Sequence, residues 1–504
     1  MTRARPADAL MRMPLIDEIR VGLAGAASLE EARSRAEKLL RLVAGLERVA
    51  VRLPDDAPPE AGVAIALGAR RLGRIDAGRA PAPAERHLLE AVAAELARAW
   101  VRWRRTAAPG LATRAVHAGE ASDARAKPAH PPLHDSVFYE FDSAADLEAY
   151  LAEPSRAYIY TRWENPTIRA AEEKLARIAG AEAARFYATG SAAIATVTLG
   201  LARSGQRIVR AGALYGGTMH FFHDWLPRFG IAVDAVEVDD HEGFRRALAR
   251  PEVVFGYTET ISNPTLRVAD LDALGVIAQD RGVPLVVDHT FATPLLCQAA
   301  RHGVTLSIES ATKGLGGHGD LMGGVVTGAL ALVDRLDRET ARHLGGTAGP
   351  YEAHMLARGL KTFPLRFARQ CDSAMAVARA LAEDGRVAGV SYPGLPSHKD
   401  HALARRLFDA TSPARFGNMV TFDAGSAERA RAFFDAAELI RRAASLASVD
   451  SLMSLPVLTS HHGLPVEELR RHGITPGLVR LSIGIEDPDD LIADIRRALD
   501  AAAG

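Results

Sequence analysis

The chain has 504 residues, of which 48% are hydrophobic and 24% charged, with a formal net charge of −1. So even a balance gives no basic excess for nucleic acid, and no apolar run is long enough to span a membrane. Cys297 and Cys371 are the only cysteines and make neither a disulfide framework nor a metal motif, so no metal is expected. The length suits about two to four domains. Arginines near the N-terminus precede no hydrophobic signal core, which leaves the cytoplasm as the expected compartment.

Residues 1–108 form a separable small α+β unit in this reading. A helix is predicted over residues 15–46, broken at Gly22 and Gly25 and restarted at Ser28, where Glu31 completes a capping box. Short strands are predicted at 48–53, 63–67 and 72–76. An amphipathic helix follows over 84–103, with Leu88, Val92, Leu96 and Trp100 on one face. This order resembles a shortened GAF sensor domain and reads equally as an oligomerisation cap. Residues 106–110 are the linker.

Beyond Thr113 the chain changes character. Thr189-Gly190-Ser191 follows a predicted strand and opens a helix over 192–202, so backbone N–H groups and the helix dipole can hold a phosphate. The same turn is also an ordinary helix start. Tyr215, followed by two glycines, offers a flat ring for stacking, or a core tyrosine. The run 283–287 is apolar throughout, as suits a parallel strand buried on both faces, and ends in Asp288. A second strand is predicted at 304–308, with residues 294–300 long enough for a short crossover helix between the two.

Just past that second strand stands Ser310-Ala311-Thr312-Lys313-Gly314. Lysine occurs otherwise only at 38, 127, 174, 361 and 399, arginine serving wherever a surface cation is wanted. Arginine cannot lose its proton or condense with an aldehyde, whereas a lysine of lowered pKa can do both. The strand–helix–strand unit brings Asp288 and Lys313 to one crevice. A carboxylate for a pyridine nitrogen and an amine for an aldehyde are a protein's share of pyridoxal phosphate chemistry. The two residues alone read equally as a strand-end acid and a surface lysine. Arg480 lies in a predicted apolar strand, where an unpaired cation is expensive, so it needs an anionic partner.

The motifs arrive in series: Tyr160-Thr161-Arg162-Trp163-Glu164-Asn165-Pro166, Ala188-Thr189-Gly190-Ser191, Leu214-Tyr215-Gly216-Gly217, Glu259-Thr260-Ile261-Ser262-Asn263-Pro264, Asp288-His289-Thr290-Phe291, the lysine stretch, and Val479-Arg480-Leu481-Ser482. Over about residues 111 to 500 they resemble, in order, the Cys/Met-metabolism (transsulfuration) family of fold-type I pyridoxal phosphate enzymes. That family includes cystathionine γ-synthase, the cystathionine lyases, methionine γ-lyase and the O-acylhomoserine sulfhydrylases.

The resemblance implies an α/β fold. A pyridoxal-phosphate-binding large domain with a mostly parallel central sheet would span 109–360, and a smaller C-terminal α+β domain 361–504. It implies pyridoxal 5'-phosphate as cofactor, with Lys313, Tyr215 and Asp288 as catalytic residues. Tyr160, Arg162, Gly190, Ser191, Asn263, Ser310 and Thr312 would complete the cofactor contacts. Arg480, Ser445 and Tyr160 would meet an amino-acid substrate. It further implies a homodimer or homotetramer in which Tyr160 and Arg162 serve the neighbouring subunit's phosphate.

Departures from the family narrow the expectation. Ala444 stands where a glutamate is usual and His220 where an arginine is frequent, which removes charge suited to the far end of cystathionine. Ile261, Gly319 and Gly314 also depart from the usual residues, and none removes a catalytic group. The expected activity is elimination or replacement at the side chain of S- or O-substituted homocysteine or homoserine, with γ-elimination ahead. The rival is a non-catalytic sensor that retains the cofactor fold, which loss of Lys313, Asp288 or Arg480 would have favoured.

Overall fold

The computed structural model describes residues 50–52, 63–67, 70–76, 93, 110–120, 128–152, 157–463 and 466–503. The chain falls into two compact units, Met1–His130 with Phe138–Ile159, and Pro131–Val137 with Tyr160–Gly504. In the first, β1 (Ala50–Arg52), β2 (Val63–Leu67) and β3 (Arg70–Asp76) pair antiparallel in the order β1-β3-β2. These are the three strands expected there, with small shifts at their ends. The helix expected over 15–46 lies outside the described residues. So does the one over 84–103, except for Ala93, which is helical and buried.

In the second unit, α1 (Pro166–Ala179) starts where its sequence says it should. Asn165 Oδ1 accepts from Thr167 N at 2.8 Å, and Pro166 occupies the first turn, where its missing N–H costs nothing. The chain then lays down β4 (Ala183–Tyr187), α2 (Gly190–Leu201), β5 (Arg207–Ala211), β6 (Ala232–Val236), β7 (Val253–Glu259), β8 (Leu285–Asp288), β9 (Leu306–Ser310) and β10 (Gly324–Gly328). They form one sheet in the order β4-β10-β9-β8-β7-β5-β6, in which β10 alone runs against its neighbours. Phe222, Phe255, Tyr257, Val286, Leu306, Ile308 and Val326 belong to the buried cluster that packs this sheet.

Two boundaries differ from expectation. The strands begin at Leu285 and Leu306 because the ladder starts with Thr305, whose N–H donates to Leu285 O and whose hydroxyl accepts from Leu285 N. The crossover is two short pieces, Thr293–Leu296 and Ala299–His302, interrupted at Cys297, whose backbone is extended.

The smaller C-terminal sheet has the order β11-β12-β15-β14-β13, with β11 Gly389–Ser391, β12 Met419–Asp423, β13 Arg441–Arg442, β14 Leu452–Ser454 and β15 Leu478–Ser482. Helix α3 (Phe363–Ala382) packs against β11 and β12, α4 (Pro488–Ala503) packs against α3, and Asp494 of α4 accepts from the N–H groups of Glu438, Leu439 and Ile440. The fold is α/β, with a mostly parallel main sheet and a smaller second sheet. Among the described residues no helix is long and apolar enough to cross a membrane.

Candidate active site

Parallel strands end on one side of the sheet, and that edge collects the polar groups. Glu259 ends β7 and Asp288 ends β8, directly opposite each other in register. The chain leaves β9 in a tight turn closed by Lys313 N to Ser310 O at 3.1 Å, Gly316 N to Ala311 O at 2.9 Å and Gly317 N to Lys313 O at 2.8 Å. Lys313 Nζ donates to Ser445 Oγ at 2.9 Å. Burial, and then the charge of Arg480, hold the Lys313 pKa below that of an ordinary lysine. Packing around Asp288 pushes its carboxyl upward, opposed by Thr290, whose N–H donates to Oδ1 at 3.0 Å.

An anion cradle lies beside the turn. Thr189 Oγ1 caps α2 by accepting from Ala192 N at 2.9 Å, while the first-turn N–H groups of Gly190 and Ser191 have no intrahelical acceptor. Ser310 sits against this helix start, since a Cβ on Gly190 would lie 3.2 Å from Ser310 Cβ. Thr312 Oγ1 accepts from Gly323 N at 2.9 Å, so that hydroxyl is held by the backbone of the strand-to-strand connection.

Tyr215 is 44% exposed, its ring lying over Gly217 and accessible for stacking. The turn after it packs onto the C-terminal domain so closely that a Cβ on Gly216 would run into Ser460 O. Asn263 Oδ1 accepts from Arg480 Nη1 at 2.8 Å, and Arg480 Nη2 reaches Ser445 O at 3.4 Å. The guanidinium is buried without a carboxylate partner among these bonds, and burial pulls its pKa down to about 10.

The donor set fits pyridoxal phosphate. It offers a lysine of depressed pKa, an acid short of cations, a helix start facing a serine hydroxyl, and an open aromatic face. A family profile described as "Cys/Met metabolism PLP-dependent enzyme" matches residues 112–500. The chain belongs to this family. It is 36% identical over 397 residues to an L-methionine gamma-lyase of Pseudomonas putida, covering 78% of this chain and 98% of that one. It is 36% identical over 386 residues to a cystathionine gamma-lyase of Bacillus subtilis, covering 76% and 98%. A Campylobacter jejuni structure described as a putative O-acetylhomoserine (thiol)-lyase, solved with a pyridoxyl-lysine monophosphate, superposes with a TM-score of 0.74 at 28% identity. That superposition covers 78% of this chain and all of the other. The protein is therefore a pyridoxal-phosphate-dependent enzyme.

Not every expected site residue converges on this edge. Tyr160 is exposed, Arg162 lies over its ring at 5.6 Å, and Arg162 Nη1 donates to Arg342 O at 2.6 Å. Among the described residues no hydrogen bond joins either to Lys313, Asp288 or the first turn of α2. Ala444 is exposed just before Ser445, and His220 is exposed and paired with Asp224 at 2.5 Å.

Three further residues have no role assigned from the sequence. His461 is buried beside Arg480, and burial and that charge pull its pKa down to about 4. Glu259 accepts from the N–H groups of Tyr215 and Asn263. Arg366, on α3, clamps the lysine turn itself. Its Nη1 donates to Gly314 O at 3.2 Å and its Nη2 to Leu315 O, Gly316 O and Gly359 O at 3.3, 3.3 and 2.8 Å. Gly317, at φ +75°, leaves the space that the guanidinium fills. Arg366→Met strands these carbonyls and is expected to destabilise the enzyme by roughly 3 kcal/mol or more, read from the urea unfolding midpoint. Arg366→Lys is expected to recover only part of the loss, because one ammonium cannot span the carbonyls.

Proposed function

We propose that this enzyme catalyses γ-elimination from S- or O-substituted L-homocysteine or L-homoserine. Its relatives named methionine and cystathionine gamma-lyases support that direction. The observation that carries the reading is the Lys313 amine, of lowered pKa, held 2.9 Å from Ser445 Oγ and influenced by the buried Arg480.

When bound, pyridoxal phosphate supplies an aldehyde and an electron-withdrawing ring that acidify the carbon bearing the substrate amine. Arg480, set by Asn263 and Ser445, grips the substrate carboxylate and fixes which Cα bond faces Lys313. Lys313 Nζ removes the Cα proton, then moves a proton at Cβ before the γ-substituent leaves; Ser445 holds the amine between these tasks. Asp288 would present its carboxylate to the ring nitrogen and Tyr215 would offer its ring for stacking, while Gly190, Ser191, Ser310 and Thr312 would hold the phosphate and Asn263 would complete the cofactor contacts. Residues 1–108 are an accessory GAF-like or capping unit outside this chemistry, consistent with their own antiparallel sheet.

Borohydride reduction of the holoenzyme is expected to fix the pyridoxyl group on Lys313; a peptide map placing it on another lysine overturns the assignment. Incubation with methionine, cystathionine or O-acetylhomoserine, without added thiol, is expected to release 2-oxobutanoate. Consumption only in the presence of a thiol would mean replacement, and pyruvate from cystathionine would mean β-elimination.

Assembly belongs to the same proposal: Tyr160 and Arg162 serve the site of a second copy of the chain. Their exposure, and the absence of a bond to their own subunit's lysine turn among the described residues, support this. Mixed Arg162→Ala and Lys313→Ala subunits are then expected to regain activity, because every mixed dimer holds one intact site. No recovery despite proven exchange counts against sharing.

A further inference from the structure

The geometry points to Glu259 as a positioning residue that sets both the stacking tyrosine and the carboxylate-gripping arginine. This rests on the roles proposed for Tyr215 and Arg480. Glu259 ends β7 and is 6% exposed. Its Oε1 accepts from Tyr215 N, in a loop 44 residues earlier, and its Oε2 accepts from Asn263 N at 3.2 Å. Asn263 in turn holds Arg480 Nη1 at 2.8 Å. One carboxylate therefore joins the loop carrying the aromatic ring to the loop that orients the guanidinium.

The chemistry of the group explains why an acid stands here. Two N–H donors converge from separate loops, each on its own oxygen, and a carboxyl group places an oxygen before each of them. A glutamine of the same shape satisfies one and turns an N–H toward the other. The position is an expensive one for an acid. Burial and the neighbouring Asp288 push the Glu259 pKa well above the usual carboxylate range, and the two N–H donors oppose them. An apolar side chain would avoid that penalty but would leave the Tyr215 and Asn263 N–H groups without this acceptor.

The test uses Glu259→Gln and Glu259→Asp holoenzymes, first matched to wild type by circular dichroism and sedimentation. Two equilibrium quantities are read. One is the dissociation constant for pyridoxal phosphate. The other is the preference for L-norvaline over 1-aminobutane, which lacks the carboxylate, measured by perturbation of the cofactor absorbance; neither compound carries a γ leaving group. Glu259→Gln is expected to weaken cofactor binding by about tenfold and to reduce the carboxylate preference by about tenfold. Glu259→Asp keeps both carboxyl oxygens but is one methylene too short to reach both donors, and is expected to fall between.

Folded variants in which both quantities stay within about twofold of wild type overturn the inference. Failure of both variants to fold also overturns it, because the residue would then be structural. If the wild type itself shows no carboxylate preference, the Arg480 assignment fails, and the cofactor dissociation constant alone decides the Tyr215 arm.

Discussion

Charge held out of water at one edge of a parallel sheet is the constraint on which this structure depends. Glu259, Asp288, Lys313 and Arg480 all lie where burial shifts their protonation toward neutrality. Each such group destabilises the fold unless neighbours satisfy it. Thr290, Ser445, Asn263 and the N–H of Tyr215 do so. The parallel strands make this possible by ending together, so that groups far apart in sequence share one set of hydrogen bonds.

Two guanidinium clamps give the edge its rigidity. Arg366 binds the carbonyls after Lys313, so the amine stands on a turn that cannot open without stranding buried oxygens. Farther off, Arg185 ion-pairs with Glu172 at 3.4 Å and Asp337 at 2.9 Å and donates to Trp163 O. Arg342 joins Asp337 at 2.8 Å, lies over the Trp163 ring and accepts from Arg162 through its carbonyl. The segment bearing Tyr160 and Arg162 is thereby pinned from behind while Tyr160 stays exposed.

The sequence exposed most of the sheet and the reactive groups, and the reasons are physical. Lys313 stood out because arginine replaces lysine almost everywhere else, and Asp288 because an acid closes a wholly apolar strand. Arg366 was illegible: in an arginine-rich chain, one more on an amphipathic helix carries no signal until the turn it binds is placed beside it. Glu259 belongs to a motif but its role is not legible there, since its partner Tyr215 lies 44 residues away and only strand register brings them together. The crossover misled because Cys297 adopts extended backbone inside a run whose composition suits a helix.

Arg480 and Lys313 make the edge responsive as well as rigid. Arg480 helps to hold the Lys313 pKa down by like-charge repulsion, second only to burial. An anion docked on Arg480 cancels that repulsion, since a paired guanidinium presents little net charge to its neighbour. The Lys313 amine is then more basic with a carboxylate in place than without one. A group that must leave its own bond easily, and then remove a carbon-bound proton, has opposite requirements at the two moments. If Arg480 grips the substrate carboxylate as proposed, the arriving anion relieves its repulsion of Lys313, and recognition is coupled to basicity through charge.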